Sequence, residues 1–592
     1  MNFYYKIEQG KDKIGLFPRY HEREKWQAAN SELSAVFSSI GGGLLNKPDK
    51  WKELTREMYC EFSVNGNRSH YEDLYFERRY DLIDLVICEC LEGKGRYFGS
   101  IACALIKICD ELSWCLPAHN PDIDSPDLGA KNPTVDLFAA ESGATIACAL
   151  YLLGDELRKI SPQAVERAER ELSVRVKKPY SERDFWWTLR SGDKKPCNWS
   201  SWISANMLLT FVLTEDDAEL IDKCALSASE TVKKLYDYLP DDGECDEGVA
   251  YWNVSPLAVY NFVEIMRAAS GGKVPLSEKL KKFAAYPHAM HISGGQYFNF
   301  GDCSPTPALD YPSAYRFALE SENRAAAEFY RTRVNENAYI FSGHSTEMTA
   351  YRALTALFTR YEGGEGDATP HESAYYSSGM LMSAHVGKYS VAVKGRGTDS
   401  GHAHIDAGNY IIFKENEPVV IDVGSSRYTK DNFSEKRNTL WFVRSAYHNL
   451  PAVNGIEQNE IHSRAELISR GERLIKLDLT RAYNGAGLRK YLRTVTAEND
   501  GVEVRDEMEF TGNNNRAEFH IITAVRPEIR ENALTVGNVF VLVSSLGQCS
   551  LKTETIPLQD DLLRSQWGEE VYRVTAYVSA TGKSLEFWLK YI

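Results

Sequence analysis

The chain has 592 residues, 43% of them hydrophobic and 26% charged, with a formal net charge of −15. This is the balance of a folded protein with ample core, and the length calls for more than one domain. The acidic excess argues against a general nucleic-acid or anionic-membrane binder, but leaves room for a polyanion in a locally basic cleft.

The opening Met1-Asn2-Phe3-Tyr4-Tyr5-Lys6 runs into charge rather than an apolar core, so no signal peptide is expected. Apolar runs such as 101–108 are short and broken by Lys107, so no membrane-spanning helix is expected either. Of the 12 cysteines, Cys88, Cys90, Cys103, Cys109 and Cys148 fall in helical-looking segments, and none forms a Cys-x-x-Cys pair. They read as free core thiols of a reducing compartment, and the expected location is cytoplasmic.

From about Glu22 to Tyr361 apolar residues recur at three- and four-residue spacing, which predicts helices. The clearest are 80–91, 97–112, 134–153, 200–213, 216–239, 255–269 and 346–358. Helix starts are marked by Ser161-Pro162 and by Thr214-Glu215-Asp216-Asp217. Long helices in series predict an α/α toroid, incomplete as a barrel, or an α-solenoid; no fixed-period repeat is evident.

The pattern breaks in Tyr361-Glu362-Gly363-Gly364-Glu365-Gly366-Asp367-Ala368-Thr369-Pro370, which reads as a linker. Beyond it the period becomes two. Segments 389–394, 410–414, 474–479, 502–510, 517–525, 539–543, 572–578 and 584–591 read as strands. The expected architecture is α+β and multidomain: a toroid over 1–370, then an antiparallel β-sandwich over 371–592. A cleft between them is the expected place for a site.

Three stretches look chemical. In Gly401-His402-Ala403-His404-Ile405-Asp406-Ala407-Gly408, an extended backbone would point His402, His404 and Asp406 to one face. His404, Asp422 and His448 offer the imidazole and carboxylate donors that a Zn²⁺-like ion accepts; the plain alternative is polar loop residues of a β domain. Lys195-Pro196-Cys197-Asn198-Trp199-Ser200 reads as a helix start with Asn198 as N-cap. Asp241-Asp242-Gly243-Glu244-Cys245-Asp246-Glu247-Gly248-Val249-Ala250-Tyr251-Trp252 is either a solvated connector or an aromatic, sugar-stacking loop.

Taken together, Asn-Trp at 198–199, Gly-x-x-Tyr at 248–251, His-x-His-x-Asp-Ala-Gly at 402–408, Asp-x-Gly at 422–424 and Tyr-His-Asn at 447–449 resemble the heparinase II/III-like polysaccharide lyases. The resemblance covers both halves. It implies β-elimination on a 4-linked uronic-acid glycan, most simply a glycosaminoglycan. Asn198 would hold the uronate carboxylate, Tyr251 would act as base and then acid, and His402 would share proton transfer. As base, Tyr251 would need its pKa lowered by nearby cations or donors. His404, Asp422 and His448 match the family's metal positions; the divalent ion would be Zn, with Mn or Ca as alternatives, in a structural role.

Heparinase II carries a His where this chain has Asn198, and a carboxylate where it has Ser201; Asn at that place resembles heparinase III. The substrate is therefore not carried over from heparinase II. The expected partner is an acidic polysaccharide or imported oligosaccharide, with no nucleic acid and no membrane; a homo-oligomer is allowed. Expected substrate contacts are Arg68, Trp114, His119, Trp199, Glu247, Trp252 and Arg444, with Arg78, Arg79 and Arg190 as further cations. The alternatives are a glycoside hydrolase using two carboxylates from Asp246, Glu247, Glu111 and Glu141, and a non-catalytic glycan-binding protein.

Overall fold

Helical periodicity in the first half and alternation in the second both become structure. The computed structural model describes residues 1–47, 51–190, 192, 194–334, 349–361, 373–398, 401–461 and 463–592. The linker expected around 361–370 lies almost wholly outside these. The chain divides into two compact units. The first holds Met1–Leu239, Asn253–Ala284 and Ala308–Thr369; the second holds Pro240–Trp252, Ala285–Pro307 and Pro370–Ile592. Two segments that lie within the helical run of the sequence therefore fold with the β-structure.

The first unit is a toroid-like array of antiparallel helices. Its axis of packing is Asn198–Thr214, which meets Leu137–Ile160, Ala218–Tyr238 and Pro256–Ser270. This helix is buried on nearly every side, polar residues included. Several of its polar side chains donate to backbone carbonyls: Ser200 Oγ to Trp187 O (2.9 Å), and Thr210 Oγ1 to Asn206 O (2.8 Å). Asp217 caps the following helix by accepting from Glu219 N.

Leu137–Ile160 is long and apolar enough to cross a membrane by length and composition, at a mean hydropathy of 1.5, where the sequence reading expected no such helix. In the fold 78% of that stretch is buried, which is how the core helix of a packed array earns the same composition. The two short strands His291–Ser293 and Gln296–Tyr297 also fall inside the stretch read as helical.

In the second unit the strands form antiparallel sheets in a sandwich-like arrangement. A five-stranded meander runs from Ala374–Tyr376 to Glu417–Val420. An eight-stranded sheet centres on Ser584–Tyr591, Gly501–Phe510 and Leu488–Glu498, and a four-stranded sheet on Glu570–Ser579 and Arg516–Thr523. One continuous core joins all three, including Val391, Ile412, Val504, Phe519, Val574 and Phe587. Phe519 and Phe587 stack across two sheets at 4.1 Å.

Arg493 and Asp506 form a buried pair in this core, with Nε–Oδ1 at 2.8 Å and Nη2–Oδ2 at 3.0 Å. Arg493 Nη1 also donates to Gly408 O (2.9 Å) and Asn449 O (2.7 Å), tying two loops to the sheet. Gly408 sits at φ +86°, and a Cβ there would come within 2.7 Å of Leu479, so this end of the His-x-His loop requires glycine. Removing one partner of such a pair strands the other charge. Arg493→Ala should destabilise the protein by about 3–5 kcal/mol, read as a lowered thermal or urea midpoint.

Candidate metal centre and adjoining active site

The 401–408 stretch is a loop rather than a strand, and it does not carry His402, His404 and Asp406 to one common partner. His402 and His404 reach the same carboxylate, Asp302, while Asp406 pairs with Lys394 Nζ at 2.8 Å. Asp302 comes from the inserted segment Ala285–Pro307. Gly301, at φ +73°, brings the backbone so close to His402 O that a Cβ would lie 2.8 Å away; Asp302 N then donates to that carbonyl at 3.1 Å.

Four donors converge on Asp302. His404 Nε2 lies 3.0 Å from Oδ1; His402 Nδ1 (3.2 Å), Tyr428 OH (3.0 Å) and Arg437 Nη2 (2.9 Å) lie at Oδ2. Burial opposes the charge, but the histidine hydrogen bonds and Arg437 prevail and hold the carboxyl well below its ordinary range. Tyr251 is partly exposed and stacks on His402 at 3.9 Å; its hydroxyl is 2.5 Å from that of Tyr428. Burial, then the Asp302 charge, pushes the Tyr251 phenol well above its ordinary value. The expectation of a lowered phenol is thus reversed: the site as it stands keeps Tyr251 protonated.

Behind His404, the ligand atoms of His404, Asp422 and His448 lie within 4.8 Å of one another, and all three residues are fully buried. His448 Nδ1 is 3.3 Å from Asp422 Oδ2. His404 Nδ1 and His448 Nε2 are buried with no hydrogen-bond partner among the described residues. Orphaned imidazole nitrogens beside a carboxylate are what a divalent ion would satisfy, so the residues fit a metal. The outer contacts are ordered. Asn409 Nδ2 donates to Asp422 Oδ2 (2.8 Å), and Gly424 N to Oδ1 (2.9 Å). Asn449 Nδ2 bonds Asn409 Oδ1, Tyr410 O and Ile421 O. Against the penalty of burial, Asp422 holds His448 above its ordinary pKa.

The other expected contacts are distributed differently. Trp114 is 2% exposed and donates to Ile108 O, and Trp252 is 0% exposed; both are core residues and offer no face to a sugar. In the helical unit, Asn198 is the first residue of its helix, and Cys197, not Asn198, takes the capping position. Trp199 lies beside it and meets the rings of His119 (4.7 Å) and Trp186 (4.9 Å); His119 Nδ1 is held by Asp136 at 2.7 Å. Glu247 lies against Gly401.

Each expected cation has an acidic partner: Arg68 with Glu72, Arg78 and Arg79 with Glu111, Arg190 with Asp184, and Arg444 with Glu457. Glu111 is thereby locked between two buried arginines, and Asp246 is held by Arg396 at 3.2 Å, which removes both as ready hydrolytic carboxylates. Asp302, Tyr428 and Arg437 were not singled out from the sequence. Asn299-Phe300-Gly301-Asp302 carries a turn signal there, but nothing that separates it from other Gly-Asp turns.

Residues 384–573 match the family described as Heparinase II/III-like, C-terminal. No curated protein sequence matches the chain. The fold is similar to that of a heparinase III (TM-score 0.57, 12% identity, covering 98% of this chain and 94% of that one). It is also similar to a mutant of the heparan sulfate lyase from Pedobacter heparinus (0.56, 12%, 96% and 86%). A third likeness is to the chondroitin AC lyase of Streptomyces coelicolor A3 in complex with chondroitin sulphate (0.50, 8%, 95% and 83%). The chain shares the two-part fold of these solved proteins, helices followed by antiparallel sheets. Within that fold, residues 384–573 carry the likeness to the heparinase II/III-like C-terminal family.

Two outcomes follow from this geometry. Glu244, buried in the loop that carries Tyr251, is pushed by burial up to about 7. A carboxyl raised above its unfolded value stabilises fully below that unfolded value and loses the contribution as pH rises through the folded one. Glu244→Gln should gain on the order of 3 kcal/mol relative to the native protein between pH 5 and 8, read from urea unfolding at each pH. Metal analysis should find about one divalent ion per chain. Chelation should lower the thermal midpoint, and His404→Ala or His448→Ala should abolish the bound ion.

Proposed function

We propose that the protein is a polysaccharide lyase that cleaves 4-linked uronic-acid glycans, of glycosaminoglycan type, by β-elimination. The carrying observation is Tyr251 stacked on His402, with His402 bonded to Asp302 and Tyr251 joined to it through Tyr428, in a chain whose C-terminal region matches the heparinase II/III-like family model.

The C5 hydrogen of a uronate is weakly acidic, and its removal places charge on the carboxylate. A lyase needs a donor for that charge, a base at C5 and an acid at O4. Asn198 takes the first role in this reading, because its amide donates without ionising. Tyr251 and His402 share the proton transfers. His402 Nδ1 is engaged by Asp302 and Tyr428, so Nε2 is the nitrogen that exchanges a proton. Tyr251 rests protonated, ready to act as acid; its base form has to arise with substrate in place.

His404, Asp422 and His448 would hold the ion, Zn²⁺ first by its donor set. Bound there, it supplies a rigid cross-link rather than an activated water, since elimination consumes no water. A cytoplasmic location, acting on imported oligosaccharides, completes the reading.

Incubation with heparan sulfate, hyaluronan, chondroitin and alginate should yield an unsaturated product absorbing in the ultraviolet from at least one of them. Tyr251→Phe and Asn198→Ala should each lower kcat by about 100-fold or more. Product formed with consumption of water and without ultraviolet absorbance would mark a hydrolase instead.

A further inference from the structure

Tyr428 has no part in the roles assigned so far, yet its hydroxyl lies at the centre of the site. It is 2.5 Å from Tyr251 OH, 3.0 Å from Asp302 Oδ2 and 3.2 Å from His402 Nδ1. The direction of these bonds can be worked out from donor capacity. Asp302 already takes donors from His402, His404 and Arg437 and can only accept. Tyr428 therefore gives its one proton to Asp302. Its oxygen is left to accept, and Tyr251 must be the donor. His402 Nδ1, 3.2 Å from both Asp302 Oδ2 and the Tyr428 oxygen, shares its one N–H between them. Tyr428 then donates to Asp302, accepts from Tyr251 and takes a share of the His402 N–H, which leaves Tyr251 no other role toward it than donor.

We propose that Tyr428 is a positioning residue for Tyr251, fixing its proton toward the protein and its lone pairs toward the exposed side. This rests on the lyase reading and adds a residue to it. A phenol free to rotate would offer a sugar either its proton or its lone pairs. Bonded to Tyr428, it offers lone pairs first, so that it accepts from a sugar hydroxyl and, once ionised, already faces the C5–H; to act as acid it turns the proton from Tyr428 to the sugar oxygen. When Tyr251, which is partly exposed, gives its proton to solvent, the same Tyr428 hydroxyl can turn and donate to the phenolate, with Asp302 keeping His402, His404 and Arg437 as partners. No covalent step is added. The charged and titratable groups that face this pair are Asp302, Glu247, His402 and Arg437. The Tyr428 ring is held separately by Phe433 at 5.0 Å, so hydroxyl and packing are separable by mutation.

The test compares Tyr428→Phe with Phe433→Leu in the full-length, metal-loaded protein on the uronan that gives product. Tyr428→Phe should lower kcat about 10- to 100-fold with KM within about threefold, and displace the pH–rate profile upward, because the Tyr251 phenolate loses a donor. Phe433→Leu, which keeps the hydroxyl, should do neither. Tyr428→Phe with kcat and profile within about twofold of the native enzyme would overturn the proposal, and so would an equal effect from Phe433→Leu.

If no uronan yields product, the lyase reading fails on its own, and hydroxyl-proton magnetic resonance decides this one. A slowly exchanging low-field hydroxyl resonance, lost in both Tyr251→Phe and Tyr428→Phe, sustains the coupling. Its absence from the native protein refutes it.

Discussion

The site depends on one buried carboxylate. Asp302 is removed from water, and an unpaired charge there would cost several kcal/mol. It is tolerated because two imidazoles, a phenol and a guanidinium all point at it. The dependence runs both ways. Asp302 engages His404 through Nε2, which leaves Nδ1 turned away, without a partner among the described residues, beside Asp422 and His448. It engages His402 through Nδ1, which leaves Nε2 for chemistry. A single group thereby engages both a histidine of the candidate metal cluster and the histidine stacked on Tyr251, as outer-shell carboxylates do in metal sites generally.

The support behind that carboxylate is rigid for a separate reason. Arg493, paired with Asp506, holds the carbonyls of Gly408 and Asn449, while Asn449 and Asn409 link the metal loop to the strands around it. Buried polar groups of this kind contribute less to net stability than apolar packing would, but they specify one arrangement. The apolar core shared by the three sheets supplies the stability. The site can therefore carry a buried acid, two orphaned imidazole nitrogens and a phenol pushed above its ordinary pKa without the unit depending on them to fold.

The electrostatics are also local rather than global. The arginines that sequence position suggested as polyanion contacts are each neutralised by an acid, two of them deep in the helical core. The cation that does lie at the site, Arg437, is partnered through one nitrogen to Asp302 and to Ala403 O. In a chain with a net charge of −15, the named arginines are taken up locally by acids.

Periodicity was enough to read the architecture. The expected segment 410–414 is the strand Tyr410–Lys414, 584–591 is Ser584–Tyr591, and 255–269 is the helix Pro256–Ser270, because local patterning reports directly which face is buried. The cluster His404, Asp422 and His448 was legible for a related reason: donor atoms of one kind, close in sequence to strands that pair. The sequence did not reveal Asp302, Tyr428 or Arg437, nor that Trp114 and Trp252 are core. Asp302 is 100 residues before His402, and Tyr428 is 177 after Tyr251. Their meeting is made by the folding of 240–252 and 285–307 with the β-structure, and no local spacing encodes that. The motif at 401–408 by itself determined that imidazoles and carboxylates would be concentrated there. Only the tertiary structure decided which imidazole faces the metal donors and which faces Tyr251, because that choice belongs to a carboxylate from elsewhere in the chain.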